Sequence, residues 1–229
     1  MRTVLDQVFS GRSVFVTGHT GFKGSWLSIW LHCLGAKVSG YALAPPTSPS
    51  NFEACAVRRL LAAHDEADLR DYARLHGALR AAAPDVVFHL AAQPIVRESY
   101  ISPRETFDVN VKGTLFTVQK LLPLMPKGSA IVLNASMVSI KGLPAFSVYA
   151  ATKAALRSFA RSWIVDLRDR QIRVNVVSPG TIPSPAYDGL GLTREQMAGF
   201  IASQNAATPL GRVGSADEVA KAALFLASD

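Results

Sequence analysis

The chain has 229 residues, 49% hydrophobic and 18% charged, which suits one packed domain and argues against disorder. Its net charge is +7, but the 24 Lys and Arg are scattered without a block of like charges. That argues against a nucleic-acid partner and leaves a basic surface, or the steering of an anion such as a pyrophosphate.

In chain order, the stretch Met1-Arg2-Thr3-Val4-Leu5-Asp6 lacks the apolar core of a signal peptide. No apolar run approaches the ~20 residues of a membrane span, so a cytoplasmic protein with no membrane partner is expected. Residues 13–17 read as a buried strand, and 22–34 as a helix with Gly35 as its C-cap. Residues 37–42 form a second strand, and the Pro/Ser/Thr-rich stretch 45–50 a loop. A weaker strand is placed near 60–64, a helix over 71–82, a strand over 85–90 and one long helix over 103–124. A strand at 130–133, a helix at 148–167 and a strand at 173–177 follow, then helices over 193–204 and 215–227. Continuous apolar strands alternating with helices predict a Rossmann-type α/β fold, a doubly wound parallel sheet in three α/β/α layers, as a single domain. Cys33 and Cys55 lie in no CxxC pair, and the five histidines have no ligand spacing. Both cysteines are therefore expected to be reduced, buried thiols, and no metal is expected.

Between the first strand and first helix, Gly18, Gly21 and Gly24 are spaced G-x-x-G-x-x-G. In this position glycines allow a tight turn, close approach of backbone to a pyrophosphate and close packing of helix on strand. The helix N-terminus then offers free N–H groups to the phosphates. Thr20, Phe22 and Lys23 complete the candidate loop. An acid ending the second strand would favour NAD, yet that strand ends Gly40-Tyr41-Ala42-Leu43. Lys23 is the one nearby cation able to hold a 2′-phosphate, unless it is merely solvated. NAD is the expected cofactor, with NADP left open.

Tyr149 and Lys153 form Y-x-x-x-K, placing phenol and ammonium on one helix face. A fixed cation favours the phenolate, so Tyr149 could serve as general base or acid near neutral pH. Ser136, thirteen residues earlier at a strand end, could hold the substrate oxygen. Asn110, in the long helix, could fix a water beside Lys153.

These residues carry a resemblance. Ile131-Val132-Leu133-Asn134-Ala135-Ser136, Tyr149-Ala150-Ala151-Thr152-Lys153 and Arg173-Val174-Asn175-Val176-Val177-Ser178-Pro179-Gly180-Thr181 resemble a classical short-chain dehydrogenase/reductase over residues ~106–229. That resemblance puts Asn110, Ser136, Tyr149 and Lys153 on the catalytic tetrad and Pro179, Gly180 and Thr181 on the nicotinamide. It also implies cofactor contacts from Asp68 and Leu69, and from Leu90, Ala91, Ala92 and Gln93. Residues 11 to ~105 resemble the extended-type CDP-glucose 4,6-dehydratases instead, through Thr17-Gly18-His19-Thr20-Gly21-Phe22-Lys23-Gly24-Ser25-Trp26 and His89-Leu90-Ala91-Ala92-Gln93-Pro94. The two meet in Thr106-Phe107-Asp108-Val109-Asn110-Val111-Lys112-Gly113-Thr114, a T-F-x-x-N-V-x-G-T pattern similar to both branches. A mosaic joined there is the expectation.

The reading that follows is an NAD(P)-dependent oxidoreductase of alcohols and ketones. The rivals are a sugar-nucleotide dehydratase or epimerase, with Arg97 and Tyr100 facing the sugar nucleotide, and a catalytically impaired dinucleotide-binding chimera. The region 182–204, with Ser184-Pro185-Ala186-Tyr187 and Leu190-Gly191-Leu192, is expected to be a substrate lid. The resemblance implies a homo-oligomer. The absence of its final strand after residue 227 is expected to leave the sixth strand at a sheet edge and to weaken the family's tetramer.

Overall fold

A computed structural model describes residues 8–183 and 192–228. Six strands form one sheet: β1 (Ser13–Thr17), β2 (Lys37–Ala42), β3 (Ala63–Glu66), β4 (Val86–His89), β5 (Ala130–Asn134) and β6 (Arg173–Val177). All pairings are parallel, in the order β3-β2-β1-β4-β5-β6. The order reverses between β1 and β4, and such a reversal opens a ligand crevice at the C-terminal strand ends.

The helices are α1 (Phe22–Cys33), α2 (Asn51–Ala54), α3 (Tyr72–Ala82), α4 (Val96–Ile101), α5 (Pro103–Phe107), α6 (Gly113–Leu121), α7 (Ser147–Asp166), α8 (Arg194–Ala207) and α9 (Ala216–Ala227). Alternation along the strands explains the three layers. Val14, Val16 and Val132 pack with Leu27 and Leu31 of α1 and Leu224 of α9. Phe15, Ile131 and Leu133 point the other way, onto Leu75 and Leu79 of α3 and Leu156 of α7. Each fully buried Leu or Phe contributes roughly 1.5–3 kcal/mol, so both faces of the sheet need their cover. Gly35 lies at φ +81° just past α1, where a helix C-terminus favours glycine.

Three expectations change. The long helix over 103–124 is a helical path interrupted by a π-helical turn, Asp108–Lys112, and ending in a 3-10 turn, Leu122–Leu124. The strand placed at 60–64 begins at Ala63, because Leu60 closes the 3-10 turn Val57–Leu60 and the register is set by pairing with β2. Cys33 and Cys55 are free but exposed, since one ends α1 on its outer side and the other follows α2. The lid motifs at Ser184–Tyr187 and Leu190–Gly191 lie outside the described residues; Arg194–Ala207 is helical. Among the described residues no helix is long and apolar enough to cross a membrane.

Candidate active site

The loops after β1, β4 and β5 converge on the crevice. Gly18 sits at φ +75° and donates its N–H to the Tyr41 carbonyl at 2.9 Å. A Cβ there would stand 2.7 Å from the Ala91 nitrogen, so the bare backbone is what lets the loops after β1 and β4 touch. Gly21 donates to the Gly18 carbonyl at 3.1 Å, closing the turn. At Gly24 a Cβ would lie 2.1 Å from the Gly18 oxygen, so the first turn of α1 is seated directly on the loop. No side chain caps α1 and no acid stands in its first turn, which leaves its N-terminal N–H groups available to an anion.

Not every loop residue faces that space. The Thr20 hydroxyl donates to the Leu43 carbonyl at 2.8 Å and ties the loop to the end of β2. Phe22 walls a cavity of about 330 Å³ with Trp26, Pro183 and the N-terminal turn of α9. Lys23 is half-buried, not solvated.

The strip after β4 is held by its backbone. Leu90 N–H donates to the Thr17 carbonyl at 3.1 Å and Ala91 N–H to Thr17 Oγ1 at 3.2 Å. Gln93 N–H donates to Asn110 Oδ1 at 2.7 Å, with half-buried Ala92 between. After β3, Leu69 is buried in the core. Asp68 holds Arg70 at 2.6 Å, and that guanidinium keeps its carboxyl below the usual range.

Tyr149 and Lys153 stand one turn apart on α7. Lys153 is only 2% exposed, donates from Nζ to the Asn134 carbonyl at 3.0 Å and lies 5.7 Å from the centroid of the Tyr149 ring. Burial first, and then the charge of Lys23, push its ammonium down to about 7. Ser136, two residues past β5, caps the short turn Met137–Ser139 and leads the chain toward α7. The Met137 N–H donates to the Pro179 carbonyl at 3.0 Å, lacing the loops after β5 and β6 together. Gly180 is exposed beside Met137, and the Thr181 hydroxyl donates to Gln204 Oε1 at 2.8 Å.

Asn110, expected to fix a water, has its side chain bound to protein. It is 1% exposed, in the π-helical turn, and both its side-chain groups bind protein. Oδ1 accepts from Gln93 N–H, while Nδ2 donates to the Gln93 carbonyl at 3.1 Å and to Thr152 Oγ1 at 3.2 Å. Thr152 in turn donates to the Tyr149 carbonyl at 2.8 Å. Asn110 therefore clamps the strip after β4 to the helix that carries Tyr149. Tyr100 does not stand free either, since its hydroxyl bonds Ser147 Oγ at 2.8 Å, while Arg97 is exposed.

Sequence reasoning missed a buried polar chain beneath the site. His89 Nδ1 is 2.9 Å from Thr17 Oγ1, and its Nε2 is 2.9 Å from Thr114 Oγ1. Thr114 donates to the Asn110 carbonyl, so it accepts from His89 Nε2–H, and Thr17 donates to Nδ1. This satisfies every partner with a neutral ring. The apolar run of β4 in which His89 lies gives no sign of these partners, which are 72 and 25 residues away. His19, fully buried, has Nε2 2.7 Å from His64 Nδ1.

Both buried rings resist protonation. Burial, then His64, lowers His19 to about 4, and burial, then Lys153, lowers His89 to about 3. Each folded value lies below the unfolded one of 6.5, so between the two the unfolded chain binds more protons. Stability is complete above pH 6.5 and is lost as pH falls, by roughly 2 kcal/mol per histidine at pH 5. Urea unfolding at pH 7 and pH 5 is expected to show this fall, reduced in His89→Gln. Equal midpoints at both pH values would contradict it.

The comparisons with known proteins agree with this architecture. The family model described as enoyl-(acyl carrier protein) reductase matches residues 61–229. CDP-glucose 4,6-dehydratase of Salmonella typhimurium is 50% identical over 117 residues, 51% of this chain and 32% of that protein. An oxidoreductase of Sarocladium schorii is 41% identical over 170 residues, 70% of this chain and 66% of that one. The solved structure of an oxidoreductase of the short-chain dehydrogenase/reductase family from Burkholderia thailandensis superposes with a TM-score of 0.78 at 28% identity, over 96% of this chain and 86% of that chain. The matched stretches thus span 32% of the first curated relative and just under two thirds of the second.

Proposed function

The chain belongs to the short-chain dehydrogenase/reductase family, and on that premise we propose that it transfers hydride between a nicotinamide dinucleotide and an alcohol or ketone. The observation that carries this reading is Lys153. A lysine this buried, bonded among the described residues to a backbone carbonyl and set against the ring of Tyr149, has a charge whose main use is to stabilise a phenolate.

The residues present fit a dinucleotide. Gly18 and Gly24 leave a cradle that a Cβ would fill, and α1 opens on it without a cap or an acid. The nicotinamide, when bound, supplies the hydride acceptor or donor. NAD suits the site better than NADP. The end of β2 offers Ala42 and Leu43, and Arg70 is engaged by Asp68 and Glu105. In the proposed cycle Ser136 Oγ holds the substrate oxygen. Tyr149 Oη takes the proton of an alcohol or gives one to a ketone oxygen. Lys153 supports the phenolate, and Asn110 positions Tyr149 through Thr152 and the Gln93 backbone.

A second reading, sugar-nucleotide dehydration, rests on the 50% identity to the dehydratase over half the chain. Eliminating water needs a further acid/base pair, and the positions after Ser136 are Met137 and Val138, which move no proton. Hydride transfer is therefore the better-supported reading. The test is to incubate the protein with NAD or NADP and a panel of alcohols, ketones and CDP-glucose. A net change in nicotinamide absorbance with an alcohol or ketone is expected. A keto-sugar formed without net cofactor change would establish the second reading instead.

A further inference from the structure

The helix that carries Tyr149 has no cap of its own. Phe146, which precedes α7, offers no side-chain acceptor, and no acid stands in the first turn. The N–H groups of that turn have no partner within the helix. Tyr100, from α4, supplies one. The Ser147 N–H donates to Tyr100 Oη at 3.1 Å, and that oxygen lies 2.8 Å from Ser147 Oγ. Tyr100 is 48% exposed, so its hydroxyl, more than burial of its ring, ties α4 to α7. The contact also crosses between the two resembled halves of the chain.

Both ends of this contact lead back to one place. The chain enters α4 through Ile95, whose N–H and carbonyl both bond the Gln93 side chain. Gln93 is the residue that Asn110 clamps, and Asn110 reaches Thr152 on α7. Tyr149 comes two residues after Ser147 and three before Thr152. Its turn is therefore held on both sides, by two arms rooted in the strip after β4.

We propose that Tyr100 is a positioning residue for Tyr149. With Asn110 as the other arm, it fixes the first turn of α7 against the strip after β4, and so sets where the phenol stands relative to a bound nicotinamide. The inference rests on the hydride-transfer reading above. Tyr100 touches no reacting atom in that cycle and acts through Ser147. Such an anchor matters because a misplacement of about 1 Å can cost on the order of a hundredfold in rate.

The test compares the wild type, Tyr100→Phe, Ser147→Ala and the double variant, using the member of the alcohol and ketone panel with the highest wild-type rate. In Tyr100→Phe, kcat is expected to fall about tenfold or more, while KM for the substrate and Kd for the dinucleotide stay within about twofold. The melting temperature should fall by no more than about 4 °C, the effect of one lost hydroxyl pair. Backbone deuterium exchange should quicken over residues 146–150 and nowhere else in α7. Ser147→Ala keeps the backbone bond and should lose less. Adding it to Tyr100→Phe should cost nothing further, because both act through one contact. An unchanged kcat in Tyr100→Phe, with or without faster exchange, would make the contact structural only and overturn the inference. So would a loss carried by KM or by cofactor affinity, which would put Tyr100 in the binding site. Additive losses in the double variant would overturn the route through Ser147. A wild type that transfers no hydride with any member of the panel would remove the reading beneath, and the positioning role with it; the exchange pattern would then still report whether Tyr100 caps α7.

Discussion

Replacing Tyr149 by Phe is expected to lower turnover about a thousandfold, inside the range typical for loss of a general acid or base. Dinucleotide affinity should stay within about twofold. The substitution removes one oxygen from a half-buried ring and leaves the helix around it unchanged. The ring keeps its edge contact with Phe146, 6.5 Å between centroids, and its place near Lys153. The fold and the cradle around Gly18 lie elsewhere, so neither has reason to fail. Steady-state rates, paired with titration of the cofactor, separate chemistry from binding. Full retention of turnover in Tyr149→Phe would refute the assigned base. Loss of binding together with rate would mean that the ring is a structural prop.

The second large effect is expected at Gly24. A Cβ there would meet the Gly18 oxygen at 2.1 Å and the His19 Cα at 2.7 Å. Both are backbone atoms, so no flexible side chain can swing aside. Either α1 lifts from the end of β1 or the Gly18 turn opens. Both changes move the helix N-terminus away from where a diphosphate would lie. Gly24→Ala is therefore expected to weaken dinucleotide binding more than tenfold and to destabilise the fold by roughly 1–3 kcal/mol, the usual cost of overpacking. Gly77→Ala is the control, because a Cβ at that position in α3 meets nothing within 4 Å. There a small gain of about 0.5–1 kcal/mol is expected. Unchanged binding and melting temperature in Gly24→Ala would mean that the loop is softer than the geometry implies.

The sheet was legible because β1, β4 and β5 are largely apolar runs, which have few other places to go, while β2 and β6 are broken by Ser39, Gly40 and Asn175. β3 was misplaced because its own residues, Ala63-His64-Asp65-Glu66, are mostly polar and only the pairing with β2 makes them a strand. The apolar Leu60-Leu61 beside them was the misleading signal. The π-helical turn at Asp108–Lys112 was invisible, because a one-residue slip in hydrogen bonding leaves the apolar spacing of a helix nearly intact. Within the site, Tyr149 and Lys153 were legible because helical spacing alone puts them on one face. The role of Asn110 was not, because its partners are 17 and 42 residues away. Lys23 was readable as a cation near the phosphates.

The polar contacts around the π-helical turn also bear on how such a chain can arise. In the T-F-x-x-N-V-x-G-T pattern shared by the two resembled branches, the three polar positions are Thr106, Asn110 and Thr114, all buried. Thr106 accepts from Gln93 Nε2, Asn110 binds Gln93 and Thr152, and Thr114 binds His89. These side chains reach back into residues 11–105, and Asn110 also reaches forward onto α7. A crossover within this segment transfers the connecting residues intact with either parent, so the new neighbours meet partners of a kind they already had. The segment is thus a natural breakpoint, at which an N-terminal half and a C-terminal half could be exchanged between relatives with little repair.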